Sequence, residues 1–251
     1  MGYLIAIAGK GGTGKTTIAA ILVRLLKENK AGSILAIDAD PNSNLAEALG
    51  VKTEETIGSI LDEISSHPEI IPQGTPKERF IEYRVQTAIS EAEGFDCLTM
   101  GRPEGPGCYC YINNALRNIM SNLIKDYDYI VIDNEAGLEH LSRKTTRFAD
   151  TLLVVSDATA VGLRAAARIR EIVKELKINT KNNLLIINRS GKITAEDKIK
   201  GLDLKFIGNI PLDKGIAKIS LNGNSLMKLS NDSPSIKMLK KIGDSIWQKK
   251  F

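Results

Sequence analysis

The chain has 251 residues, 43% of them hydrophobic and 25% charged, which is the balance of an ordinary globular protein. A formal net charge of +4 is too weak to argue for nucleic acid by itself, and no run of about 20 apolar residues is present to form a membrane-spanning helix. Three cysteines, an odd count, speak against a disulfide framework and for the reducing cytoplasm.

Taken in chain order, Tyr3–Ala8 reads as a strand. Its apolar part is too short for a secretory leader and runs directly into a glycine-rich loop. Met1-Gly2 does not open a myristoylation signal, because Ala6 stands where Ser or Thr is wanted. An amphipathic helix over Thr16–Lys27 and a strand over Ile34–Ile37 follow. Residues 53–95 are more polar, with helical character, and read as an insertion on the sheet; His67, beside Pro68, falls on its surface. A strand near Cys97–Met100 places Cys97 in the core, and Asn113–Lys125 reads as a helix. Strands are expected at Tyr129–Ile132, Leu152–Val155, Leu184–Ile187 and Phe206–Ile210, with a helix over Val161–Leu176. The chain closes on a helix over Ser235–Gln248, introduced by Ser233-Pro234. Its Ile236, Leu239, Ile242 and Ile246 share one face, so it is expected to pack on the core, with Trp247 and Phe251 buried, rather than lie on a membrane.

Near-continuous apolar strands alternating with amphipathic helices predict an α/β fold. We expect a single domain over residues 1–251, built on one doubly wound, mostly parallel sheet flanked by helices.

Gly9-Lys10-Gly11-Gly12-Thr13-Gly14-Lys15-Thr16 fits G-x-x-x-x-G-K-[ST], and it sits between a strand and a helix as that motif requires. Glycines let backbone N–H groups approach phosphate oxygens closely, and the helix aims its positive end at the same anion. Lys15 supplies charge to the terminal phosphates, Thr16 offers its hydroxyl to Mg²⁺, and Thr17 is assigned to the α-phosphate. The motif predicts binding of ATP and ADP with Mg²⁺, and hydrolysis of ATP to ADP and phosphate. Asp133 ends the strand at Tyr129–Ile132 and is expected to hold a magnesium-bound water. Asp38-Ala39-Asp40-Pro41 ends another strand with two more carboxylates; one can orient the attacking water while the other serves the metal.

Lys10, a second lysine early in the loop, resembles the deviant Walker A of the MinD/ParA/nitrogenase-iron-protein ATPases. The resemblance implies a homodimer formed on ATP binding, in which Lys10 reaches the partner's ATP much as an arginine finger does. Asp38 to Pro41 resembles the first switch of that family, and Asp133-Asn134-Glu135-Ala136-Gly137 the second. Asn188-Arg189 is similar to its adenine-reading position, and Ile210-Pro211-Leu212 to the loop along the base. These likenesses run from Met1 to about Leu212.

Two further stretches, Gly105-Pro106-Gly107-Cys108-Tyr109-Cys110 and Glu135 to Arg143, resemble the CooC-type accessory ATPases. Those mature nickel-containing carbon monoxide dehydrogenase; the accessory ATPase of acetyl-CoA synthase is equally similar. The resemblance implies one of these enzymes as client, with no nucleic acid partner and no stable membrane insertion. Thiolates suit zinc, iron–sulfur clusters and nickel(II). One C-x-C pair offers two ligands, and a two-fold dimer doubles them to four. Closing the dimer on ATP would then assemble a Cys108 and Cys110 site for Ni²⁺ or Zn²⁺, and opening it would release the ion. His140 is expected to position the second switch or contact the partner rather than bind metal.

On this reading Lys15, Thr16, Asp133 and Asp38 handle phosphate and magnesium, Asp40 orients the water, and Lys10 completes the partner's site. Two alternatives stand beside it. One is a positioning ATPase of the MinD/ParA kind, without metal, on membrane or DNA. The other is an iron–sulfur redox ATPase. Against the latter, Asn134 to Arg143 lacks the cysteine that the nitrogenase iron protein carries there, although two C-x-C pairs would still supply four thiolates.

Overall fold

The computed structural model describes residues 2–40, 42–101, 118–134, 148–191 and 199–247. Cys108, Cys110, His140, Pro41, Phe251 and most of the second-switch stretch lie outside the described residues.

The strands are β1 Tyr3–Ala8, β2 Ile34–Ala39, β3 Ser90–Ala92, β4 Phe95–Thr99, β5 Tyr129–Asn134, β6 Phe148–Ser156, β7 Asn179–Ile187 and β8 Lys205–Asn209. They form one sheet in the order β3-β4-β2-β5-β1-β6-β7-β8. Every pairing is parallel except that of β3 with β4. The fully described helices are α1 Lys15–Glu28, α2 Asn44–Leu49, α3 Ile57–Ser66, α4 Lys77–Thr87, α5 Ala160–Glu175, α6 Lys214–Leu221 and α7 Pro234–Trp247.

The sheet has a core on each face, which is why its central strands read as unbroken apolar runs. On one face pack Ile57, Ile60, Leu61 and Ile64 of α3, Ile81 and Val85 of α4, and Leu163, Ile169 and Val173 of α5. The polar stretch therefore covers the sheet: Ile57, Ile60, Leu61, Ile64, Ile81 and Val85 recur at helical spacing and point inward. The opposite face takes α1, α2 and α7. In α7, Ile236, Leu239, Ile242, Ile246 and Trp247 are all buried, each gaining about 1.5–3 kcal/mol from leaving water. The C-terminal helix thus spends its apolar face on the core. Among the described residues no helix is long and apolar enough to cross a membrane.

Several elements are longer than the sequence suggests, or absent from it. β7 begins at Asn179, through the polar run Asn-Thr-Lys-Asn-Asn, because it pairs with β6 from Phe148↔Asn179 onward. β3, Ser-Glu-Ala, has no apolar signature; it exists because a turn at Gly94 folds it back on β4. Cys97 is buried in β4, and burial pushes its thiol up to about 12, the property of an inert core cysteine. His67 is exposed and bonds Glu69 at 2.9 Å.

Candidate nucleotide site

Parallel register brings the chemistry to one sheet edge. β2 and β5 pair with Asp38 beside Asp133, and Ile7 of β1 lies opposite Asp133 on its other side. The loop from Gly9 to Gly14 leaves β1 at that edge, so loop and carboxylates converge at the carboxyl ends of adjacent strands.

The loop turns through left-handed backbone at Gly12 (φ 80°) and Gly14 (φ 93°). A Cβ on Gly14 would also strike the Asn188 amide, so both backbone angle and space require glycine there. Thr13 Oγ1 donates to the Lys10 carbonyl at 2.8 Å and closes the turn. The Lys10 side chain stands exposed, whereas Lys15, only 7% exposed, is held within the site.

Thr16 Oγ1 donates to Asp133 Oδ2 at 2.6 Å. Asp133 is buried, and its Oδ1 has no hydrogen-bond partner among the described residues. Burial pushes its carboxyl up to about 7; the Thr16 bond and Lys15 oppose that rise, and Asp38 and Asp40 add to it. Asp38 is also buried and is pushed up to about 6, against bonds from Leu45 N (2.7 Å) to Oδ2 and Asp40 N (3.1 Å) to Oδ1. Asp40 accepts at Oδ1 from Asn42 N at 2.9 Å and Asn42 Nδ2 at 2.8 Å. A hard cation fits this donor set. A hydroxyl and a buried carboxylate with a free oxygen stand beside the phosphate loop, and a divalent ion would compensate the carboxylates that burial now disfavours. Bound there, Mg²⁺ would neutralise charge on the terminal phosphates.

A cleft of about 380 Å³ spans the loop glycines, Lys15, Thr16, Asp40 and Arg189. Next to it, a cleft of about 270 Å³ runs between Thr17, Asn188 and Arg189 on one side and Pro211, Leu212 and Ile216 on the other. The pair suits a triphosphate and a flat base. Asn188 is buried; its Nδ2 donates to the Thr13 carbonyl at 2.8 Å and its Oδ1 accepts from Arg189 N at 2.9 Å. Arg189, with left-handed backbone (φ 53°), donates from Nη1 to the Gly12 carbonyl at 3.2 Å. Asn188 and Arg189 therefore lock this second cleft to the phosphate loop as well as lining it. A larger cleft of about 540 Å³ lies between residues 50–55 and 87–92, away from these groups; chemistry, not size, marks the site.

The sequence reading missed α2, whose Leu45 N fixes Asp38, and α6 with its capping Asp213. The signal for the second was there: an aspartate two residues after Pro211, followed by Ile216 and Ile219 at helical spacing.

This fold and this site define a P-loop ATPase, which uses magnesium to hydrolyse ATP. The protein-family model described as an AAA domain matches residues 2–186, and the chain belongs to that family, among the ATPases of the MinD/ParA/nitrogenase-iron-protein group. It is 42% identical over 254 residues to an uncharacterized ATP-binding protein of Methanocaldococcus jannaschii, covering 99% of this chain and 100% of that one. It is 31% identical over 247 residues to the carbon monoxide dehydrogenase accessory protein CooC of Rhodospirillum rubrum, covering 90% of each. The fold matches the septum site-determining protein MinD of Pyrococcus horikoshii, solved with Mg-ADP, at a TM-score of 0.68, with 24% identity over 96% of each chain.

Proposed function

We propose that this chain is an ATP-driven, dimerising metallochaperone that assists nickel insertion into carbon monoxide dehydrogenase or acetyl-CoA synthase. The observation that carries the reading is the pair Cys108-Tyr109-Cys110, in a chain 31% identical to a carbon monoxide dehydrogenase accessory protein. In this reading the chain works in the cytoplasm as one nucleotide-binding domain over residues 1–251. Two copies close over ATP, and Lys10 of each completes the other's phosphate site. Thr16, Asp133 and Asp38 serve magnesium. Asp40 orients the water that attacks the γ-phosphorus while the bond to the β–γ bridging oxygen breaks, giving ADP and phosphate. Cys108 and Cys110 from both copies hold Ni²⁺, or Zn²⁺, as cargo. ATP favours the closed pair, and the difference in metal affinity between closed and open states moves the ion.

The apolar face of α7 is buried in the core, which argues against α7 itself serving as a lipid anchor of a membrane-bound positioning ATPase.

The test is to purify the protein anaerobically and measure metal per chain and oligomer size with ATP, with ADP, and after Cys108→Ser. One nickel or zinc per ATP-bound dimer, lost on Cys108→Ser, supports the reading. Brown protein with a visible charge-transfer band points to an iron–sulfur ATPase instead. A chain that stays monomeric with ATP and never binds a transition metal overturns the proposal and leaves the ATPase.

A further inference from the structure

The base cleft has two unequal walls. One belongs to the body of the protein and includes buried Asn188, tied to the phosphate loop. The other runs from Pro211 along α6, and no residue of α6 is buried. Leu212 is 70% exposed and Leu221, at the far end of the helix, 87%. Only Ile216 and Ile219, both half-buried, pack it against the core, so its position leans heavily on polar anchors.

Asp213 is such an anchor. It is 7% exposed and uses both carboxylate oxygens. Oδ1 accepts from Gly215 N at 2.8 Å and Ile216 N at 3.4 Å, capping the first turn of α6. Oδ2 accepts from Ser235 N at 3.2 Å and from Ser233 Oγ, at the start of α7. Ser233 Oγ in turn accepts from Ile236 N at 3.2 Å. One carboxylate thus joins a loosely packed wall to a helix whose apolar face is locked in the core. Bonds from backbone N–H groups to an ionised acceptor are among the stronger ones available for that purpose.

We infer that Asp213 is a positioning residue: by fixing α6 to the start of α7 it sets the width of the base cleft, and with it affinity for the nucleoside part of ATP. The grip on phosphate stays with the loop. The inference rests on the nucleotide reading of these clefts but does not need the metal cargo.

Calorimetric titration separates the two ends of the ligand. Mg-ATP and Mg-tripolyphosphate are titrated into the parent, Asp213→Ala, Asp213→Asn and Ser233→Ala. We expect Asp213→Ala to weaken ATP about tenfold while tripolyphosphate changes less than about twofold. Asp213→Asn keeps one acceptor oxygen but turns an amide N–H₂ toward Ser235 N–H, so it and Ser233→Ala should lose less, and in the same selective way. In steady state the loss should fall on KM, with kcat at saturating ATP unchanged. Equal losses for both ligands, or no loss of ATP affinity, overturn the inference. Should Asp213→Ala not fold, the two milder variants decide by the same criterion. A parent that binds neither ligand removes the nucleotide reading itself, an outcome distinct from a parent that binds both while its variants match it.

Discussion

Thr16 Oγ1 and Asp133 Oδ2 are 2.6 Å apart, so the hydroxyl of the phosphate-loop helix and the carboxylate of β5 face one another. The arrangement costs stability, because Asp133 is buried beside Asp38 on the neighbouring strand. A site that destabilises its own carboxylates is primed for a cation.

A first prediction concerns that cost. Asp133, pushed up to about 7 in the folded chain, holds a proton that the unfolded chain has released near pH 4. The folded state therefore binds more protons between about pH 4 and pH 7, and stability from this group falls as pH rises through that window. Asp133→Asn should remove the slope it contributes and, at pH 8, stabilise the nucleotide-free protein by about 1 kcal/mol or more. The same variant should lower hydrolysis by about 100-fold or more. Thermal melts of parent and variant from pH 5 to pH 8 check the first part, and phosphate release the second. A variant that melts below the parent at pH 8 would show that the carboxylate is stabilising as it stands.

Lys10 tests the trans role. Its side chain is exposed, while its backbone carbonyl is the part that Thr13 uses to close the loop. Lys10→Ala should therefore bind ATP within a few-fold of the parent but lose ATP-induced dimerisation, with hydrolysis falling by about 100-fold or more. Light scattering with and without ATP, together with turnover, measures both. Equal rates in variant and parent would remove Lys10 from the mechanism.

Arg24 joins α1, the helix of the phosphate loop, to the segment behind α6. It is buried and donates to the carbonyls of Leu226 (3.3 Å) and Leu229, to Asn231 Oδ1 (3.0 Å) and to Glu28 (2.7 Å). Arg24→Met keeps the stem but takes the guanidinium away from the Leu229 carbonyl, Asn231 and Glu28, and should cost about 2–4 kcal/mol in urea unfolding. A change under about 0.5 kcal/mol would mean that water or a shifted neighbour replaces the guanidinium.

Much of this was readable from one chain of letters. The strand before the phosphate loop could be bounded at Tyr3 and Ala8, because a strand covered on both faces must be apolar throughout. The loop could be read because few residue types let a backbone wrap a phosphate. Asp38 and Asp133 could be read because each ends an apolar run. The short edge strand Ser90–Ala92 could not, since its existence rests on hydrogen bonds to β4 rather than on its own side chains. The role of Asp213 was hidden for a similar reason: Ser233 and Ser235 lie 20 and 22 residues away in the chain.

The sequence by itself determined the phosphate chemistry, the alternation of strands and helices, and the outward and inward faces of α7, because these follow from local residue type and spacing. Only the tertiary structure decided which carboxylates stand side by side, that Asn188 is bonded to the phosphate loop, and that a weakly packed helix walls the base cleft. Those facts depend on strand order and register, which bring distant residues within hydrogen-bond reach and out of water.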